Sequence, residues 1–271
     1  MLSAAPVASG CPELQSPKAT TRENAVNGTV PTNHVVSLRE RHEIAEGTFA
    51  FLFDRPAGFT FEAGQRLRLT LRRAGGVENR EATRTFSIAS APSEQRLMIA
   101  TRIRDSAFKR LLRRSPLGTE VEIQRPLGDF VLHQDSSLPA VLLAGGIGIT
   151  PFRSIMVEAT RTGLAHRFFL FHSNRRPEDA PFLDELQVLE RNHRNLTLIA
   201  TMTQMSRSRR TWAGETGVLD EEMLRRFVGH LISSPVYYIA GAPRMANGLR
   251  TLLTRTGTRS DRIRVEVFEG Y

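Results

Sequence analysis

The chain has 271 residues, 40% of them apolar and 24% charged, which suits two globular domains. Its net charge is +9, with arginine far ahead of lysine, and such a surface favours nucleic acid, an anionic membrane, a phosphorylated cofactor or an acidic protein. A single cysteine, Cys11, rules out an internal disulfide, a four-thiolate iron–sulfur cluster and an all-cysteine zinc site, so redox chemistry needs a bound organic cofactor, and no metal is expected.

Residues 1–32 are rich in Ala, Ser, Thr, Pro and Asn, lack hydrophobic periodicity and read as a disordered leader. They have neither the basic start nor the apolar stretch of a secretory signal. Ala8-Ser9-Gly10-Cys11 has the form of a lipoprotein cleavage site, without the apolar run such a site needs. No run of about 18 apolar residues occurs, so the expectation is a cytoplasmic protein without a membrane span.

From His34 to about Leu132 the pattern is β. Val35, Ser37 and Arg39 alternate with Val36, Leu38 and Glu40, and Phe49–Phe53 is a strand ended by Asp54-Arg55-Pro56. Residues 65–71 alternate strictly and turn at Arg72–Gly76; Thr85–Ala89 and Leu97–Thr101 are further strands. Short strands at this spacing predict an antiparallel barrel. One helix interrupts them, from about Ser106 to Arg113, with Phe108, Leu111 and Leu112 on one face. After a hinge-like Asp135–Pro139, apolar strands alternate with helices: Ala140–Ala144, Arg167–Phe171, Leu196–Ala200, Val236–Ala240 and Arg262–Phe268, with a helix through Phe182, Leu183, Leu186 and Leu189. That pattern predicts a parallel sheet covered on both faces.

Two segments carry chemistry. Ala144-Gly145-Gly146-Ile147-Gly148-Ile149-Thr150-Pro151 follows an apolar strand and opens a helix, so backbone can approach a ligand and unpaired N–H groups can meet a pyrophosphate. Thr150 is placed to cap that helix and Pro151 suits its first turn. Arg84-Thr85-Phe86-Ser87 lies in a strand and offers a phosphate ligand, a ring to stack and a hydroxyl. Taken singly, the first also fits tight packing and the second a plain amphipathic strand.

In this order the two segments resemble the ferredoxin–NADP reductase superfamily, whose flavin signature is Arg-x-Tyr/Phe-Ser and whose nucleotide signature is Gly-Gly-x-Gly-x-Thr-Pro. Phe61–Gln65, Pro126–Phe130 and Tyr238–Met245 are similar to three further family segments, and the resemblance runs from about residue 33 to the end. It implies a two-domain fold: an antiparallel β-barrel that binds flavin, over 33–135, then an α/β Rossmann-like parallel sheet that binds the nicotinamide nucleotide, over 138–271. It also implies FAD and either NADH or NADPH. Arg84 would meet the flavin phosphate, Phe86 would lie on the isoalloxazine, with Thr85 beside it, and Ser87 would donate toward N5. Arg102, Ser106, Ala107 and Phe108 would form a second flavin contact, with Ser106 capping a helix aimed at the FAD pyrophosphate. Gly145, Gly146, Gly148, Thr150 and Pro151, with Gly241, Pro243 and Met245, would hold the nucleotide. Glu266 would lie near Ser87, Phe268 would stack on the open flavin face and Tyr271 would cover another part of the flavin.

Two departures stand out. Plant-type members carry a Cys where this chain has Ala240, and a Ser-Arg pair for the 2′-phosphate where it has Thr203-Gln204, with Arg207, Arg209 and Arg210 further along. The choice between NADH and NADPH therefore stays open, as do the oligomeric state and the electron acceptor. The resulting expectation is an NAD(P)H-dependent flavoprotein reductase that passes electrons to a protein or small-molecule acceptor, with Ser87 and Glu266 at the reacting edge. An acidic carrier such as a ferredoxin or flavodoxin would dock near Arg110, Arg113 and Arg114. The alternative is a redox sensor or electron-transfer subunit that binds the same cofactors without turnover. Nucleic acid as a partner rests on charge alone and is not expected.

Overall fold

The computed structural model describes Met1 and residues 33–71, 83–104, 106–231 and 235–268. The expected leader, the turn at Arg72–Gly76 and Tyr271 lie outside the described residues. From Asn33 onward the described residues belong to one compact unit built on two six-stranded sheets.

The first sheet holds β1 (His34–Ala45), β2 (Thr48–Phe53), β3 (Arg66–Leu71), β4 (Thr83–Ser87), β5 (Leu97–Arg102) and β6 (Glu120–Ile123), all paired antiparallel in the order β4-β3-β6-β1-β2-β5. Just past β4, the N–H groups of Ala89 and Ser90 donate to Met98 O on β5, so the two edge strands meet and the sheet curls into a barrel. Strict alternation in β3 buries Leu67, Leu69 and Leu71 and exposes Arg66 and Arg68. Phe51, Phe53, Ile88, Ile99, Val121 and Ile123 join them in the barrel core, and the short helix α1 (Ala107–Arg114) closes it with Phe108 and Leu112. Leu111, expected on the same face, is 48% exposed: three residues from Phe108 but only one from Leu112, it swings off a stripe set by the i, i+4 pair. Strand β6 was not among the expected strands, and its Glu-Val-Glu-Ile pattern is too short to stand out.

The second sheet comprises β7 (Ala140–Gly145), β8 (Phe168–Asn174), β9 (Leu196–Met202), β10 (Glu215–Thr216), β11 (Val236–Gly241) and β12 (Ile263–Val267), all parallel in the order β10-β9-β8-β7-β11-β12. Helices α2 (Thr150–Thr162) and α3 (Leu183–Asn192) share one core with Ala140, Leu142 and Ala144. Residues of α4 (Glu221–Val228) and α5 (Pro243–Arg255) share the other with Val141 and Leu143. The apolar runs are continuous because each strand feeds two cores.

The same logic joins the sheets. In β2, Phe49, Phe51 and Phe53 face the barrel core, whereas Ala50 and Leu52 pack against the α2 side of the second sheet; Leu97 and Ile99 of β5 divide from Met98 and Ala100 in the same way. The segment between the sheets, expected to be hinge-like, is tied down: His133 donates its backbone N–H to Tyr238 Oη at 2.8 Å and its ring contacts Leu138 O at 3.0 Å.

Candidate active site

Strand order sets the first feature. The chain runs outward from β7 to β10 and then returns to β11 on the other side, so the crevice at the carboxyl ends of β7, β8 and β11 is where a parallel sheet of this kind accepts a ligand. A cavity of about 210 Å³ lies there, lined by Arg102, Arg104, Gly145, Gly146, Asn174, Arg175, Thr203, Ala242 and Met245, among others. The glycines divide their work. A Cβ on Gly145 would come within 2.2 Å of Met245 Sδ, and one on Gly148 within 2.2 Å of Ala240 O, so these two let the turn pack on β11 and α5. Gly146 has φ +51 and open space where a Cβ would stand, so a ligand has room to approach the chain on that side. Thr150 does not cap α2. It occupies the helix's first position and donates to Ile147 O at 3.1 Å, and no side chain caps this N-terminus. Pro151 sits in the first turn as expected. Asn174 has both side-chain amide atoms buried without a partner at this crevice, an arrangement that a polar ligand would satisfy.

The second feature is the meeting of β4, β11 and β12. Ser87 ends β4 and donates from Oγ to Glu266 Oε1 at 3.4 Å; Glu266 lies opposite Ala240 in the β11–β12 register. Glu266 is 9% exposed, and its Oε2 has no partner. Burial pushes its carboxyl up to about 7, against the pull of Arg66, whose Nη1 is 4.0 Å away, and of the Ser87 hydroxyl. A cavity of about 610 Å³ opens beside it between Gly64, Arg66, the segment Leu127–Val131 and Arg264–Val267.

The comparisons fit this geometry. The oxidoreductase NAD-binding domain family matches residues 142–251, the strands and helices around the first crevice. The chain is 32% identical over 208 residues to ferredoxin–NADP reductase B of Sorangium cellulosum, covering 74% of this chain and 82% of that protein. The chain belongs to the ferredoxin–NADP reductase family. It is thus an NAD(P)H-dependent flavoprotein reductase that works with FAD. The glycine betaine monooxygenase reductase subunit of Chromohalobacter salexigens is 26% identical, and there the match covers 83% of this chain but 60% of the longer relative. Among solved structures, a Neisseria gonorrhoeae ferredoxin–NADP⁺ reductase with bound FAD and NADP is similar in fold, with a TM-score of 0.72, 22% identity and coverage of 87% of this chain and 97% of that one.

The family's flavin segments converge in this chain. Ser106 is the N-cap of α1, accepting from Lys109 N at 3.4 Å. The Arg84 guanidinium lies 5.7 Å from the Phe108 ring centroid, and the Phe86 and Phe108 rings are 5.9 Å apart. Arg84 and Thr85 are exposed and Phe86 and Ser87 buried, so the strand presents its polar groups outward beside the helix terminus. Burial lowers the Lys109 pKa, and Arg104 and Arg84 add to the effect, so three cations crowd the start of α1. A pyrophosphate would relieve that crowding, so the residues fit FAD.

Some expectations shift. Arg102, expected at the second flavin contact, pairs with Asp179 across the junction at 2.9 Å and lines the nucleotide crevice. The loop after β9 is held by acids: Glu178 accepts from Arg209 N and Ser208 Oγ, and Arg209 pairs with Glu46 at 3.4 Å. Arg175 lines the crevice together with Thr203 and accepts at its backbone O from Gln204 N–H at 2.8 Å, and the spacing of charges gave no signal for it. Phe268 donates its N–H to Gly241 O at 3.0 Å and packs, half-buried, on the core that contains Ala240. Gly241 and Pro243 fall at the end of β11 and the start of α5. Arg110, Arg113 and Arg114 line a cavity of about 470 Å³ with Ile103 and Arg104.

Proposed function

We propose that this reductase holds its two cofactors at the two features above, as barrel and nucleotide domains over 33–135 and 138–271. Arg84, Arg104 and the N–H groups of Ala107 and Phe108 take the FAD pyrophosphate, with Phe86 and Ser87 at the isoalloxazine. Gly146, the uncapped start of α2 and Asn174 take the phosphates and ribose of NAD(P)H, with Gly241, Pro243 and Met245 on the far wall. FAD supplies hydride acceptance from the nicotinamide and release of electrons one or two at a time. The chain's own contribution is position and proton supply. Ser87 orients a hydroxyl at the reacting edge, and Glu266, whose carboxyl burial raises to about 7, holds a proton beside it in the protonated fraction of the chain. Phe268 would cover the open flavin face and give way when the nicotinamide binds; the role expected of Tyr271 falls outside the described residues.

The observation that carries this reading is the convergence of Ser87 and Glu266, 179 residues apart, opposite Ala240. The relatives named as oxygenase reductase components and ferredoxin reductases support a separate redox protein as acceptor, docking near Arg110, Arg113 and Arg114. The compartment in this reading is the cytoplasm; no described helix is long and apolar enough to cross a membrane. The test is the visible spectrum and extracted cofactor of the purified protein, followed by dye reduction with NADH and with NADPH. A protein that takes up no flavin would end the reading, whereas flavin without any NAD(P)H-dependent dye reduction would favour the sensor.

A further inference from the structure

A buried arginine outside both cofactor features has an unusual set of partners. Arg153 lies in the first turn of α2, three residues after Thr150, and is 4% exposed. A guanidinium has five N–H donors, and here all five are used. Nε and Nη2 donate to the two oxygens of Glu185 at 3.0 and 2.6 Å; Nη1 and Nη2 donate to the two oxygens of Glu94 at 2.7 and 3.1 Å; Nη1 also donates to Ala89 O at 2.8 Å. Its Cζ stands 5.4 Å from the Phe182 ring centroid. Burial alone would raise the Glu94 carboxyl, yet the hydrogen bonds and charge of Arg153 hold it below its ordinary range.

These partners belong to two different elements. Glu185 is in the first turn of α3. Ala89 and Glu94 belong to the barrel segment that leaves β4, and Ala89 is two residues beyond Ser87. The same segment is stitched to α2 along one helix face. Ser154 Oγ donates to Ser90 O at 2.7 Å, Ser93 N–H donates to Glu158 Oε2 at 2.9 Å, and Arg161 Nη1 donates to Ser93 O at 3.0 Å. One end of α2 thus faces the nucleotide crevice while its side grips the strand that ends in Ser87.

We propose that Arg153 is a positioning residue for hydride transfer: it sets the distance and angle between the nucleotide-binding start of α2 and the flavin-binding end of β4. This rests on the placement of the two cofactors given above. Arg153 touches neither cofactor, and its part is to keep two sheets, each carrying one reactant, in a single register. A misplacement of about 1 Å at a reacting pair lowers the rate by about 100-fold, so a clamp of this kind controls the chemical step rather than binding. A lysine keeps the charge but has one ammonium in place of a planar fork, and cannot satisfy two carboxylates and a carbonyl together.

The test uses full-length, FAD-loaded protein carrying Arg153→Lys, and a second variant in which Arg153→Met is combined with Glu94→Gln and Glu185→Gln so that no carboxylate is stranded. Flavin reduction at saturating NAD(P)H is followed by rapid mixing and scaled to bound flavin. The expected result is a fall of about 100-fold in that rate, with dithionite reduction unchanged and flavin and NAD(P)⁺ affinities within about threefold of the parent (under 1 kcal/mol). In protein without flavin or nucleotide, amide exchange of residues 89–94 should accelerate by about tenfold, the mark of a segment whose local opening has become easier. Reduction rates equal to the parent's, a loss that merely tracks flavin occupancy, or unchanged exchange at 89–94 would each overturn the proposal. The cofactor placement fails separately, on the parent protein, if that protein takes up no flavin, and in that event both fall.

Discussion

Glu266 gives the sharpest test of the site, because its buried carboxyl couples stability to pH in an unusual direction. The group titrates near 7 in the folded chain and near 4.5 in water, with burial as the main cause. A carboxyl raised in this way contributes stability fully present below pH 4.5, and that contribution is lost as pH rises through 7. At about 1.4 kcal/mol for each tenfold change in proton affinity, the loss amounts to about 3 kcal/mol. Glu266→Gln keeps the shape of the neutral acid and cannot ionise. The variant should therefore match the parent near pH 4.5 and exceed it by up to about 3 kcal/mol at pH 8. For a chain of this size that corresponds to a melting temperature about 6–12 °C higher. Thermal unfolding followed by circular dichroism at pH 4.5, 6, 7 and 8 measures it. Turnover should move the other way: the variant lacks the proton that Glu266 holds beside Ser87, so its rate should fall and the limb of the parent's pH profile near 7 should vanish. A gap between parent and variant that stays constant from pH 4.5 to 8 would refute the argument, since it would mean that Glu266 is charged throughout.

His172, fully buried with Nε2 3.3 Å from Gly146 O, is pushed down to about 4 by burial, so stability is lost as pH falls from 6.5 toward 4, by about 3 kcal/mol; His172→Gln should remove that part of the acid sensitivity, read as a melting-temperature difference from the parent. Arg84→Ala loses a charge-assisted phosphate contact of about 1.5–3 kcal/mol, so flavin affinity should fall about tenfold or more with the fold retained, and a variant that keeps its flavin through gel filtration as the parent does would remove Arg84 from the phosphate site. Reversing Arg113 and Arg114 to Glu should slow reduction of an acidic carrier, most at low ionic strength, while dye reduction holds, and equal carrier rates would place docking elsewhere. Phe268→Ser should tighten NAD(P)⁺ binding and change the flavin absorption; an unchanged spectrum and affinity would make Phe268 a core residue only.

Local rules read much of this chain without its structure. Side chains two residues apart share a face of a strand, so the alternation of Leu67, Leu69 and Leu71 was enough to place a half-buried barrel strand, and the unbroken run Ala140–Gly145 to place a strand covered twice. The glycine-rich turn and the Arg-Thr-Phe-Ser segment were legible because backbone that meets a phosphate needs particular residues in adjacent positions. The pairing of Ser87 with Glu266 came from the resemblance of those segments to known reductases, since no periodicity spans 179 residues. What the chain's order cannot express is which charges meet. Arg153 finds Glu94 and Glu185 at separations of 59 and 32 residues, and Arg102, at the end of β5, finds Asp179, 77 residues on. Thr150, an apparent cap by position, turned out to serve Ile147 instead. A charged side chain is soluble almost anywhere on a surface, so its sequence context constrains it little. Once two sheets close over it, an unpaired charge becomes costly, and only the packed structure decides which partner removes that cost.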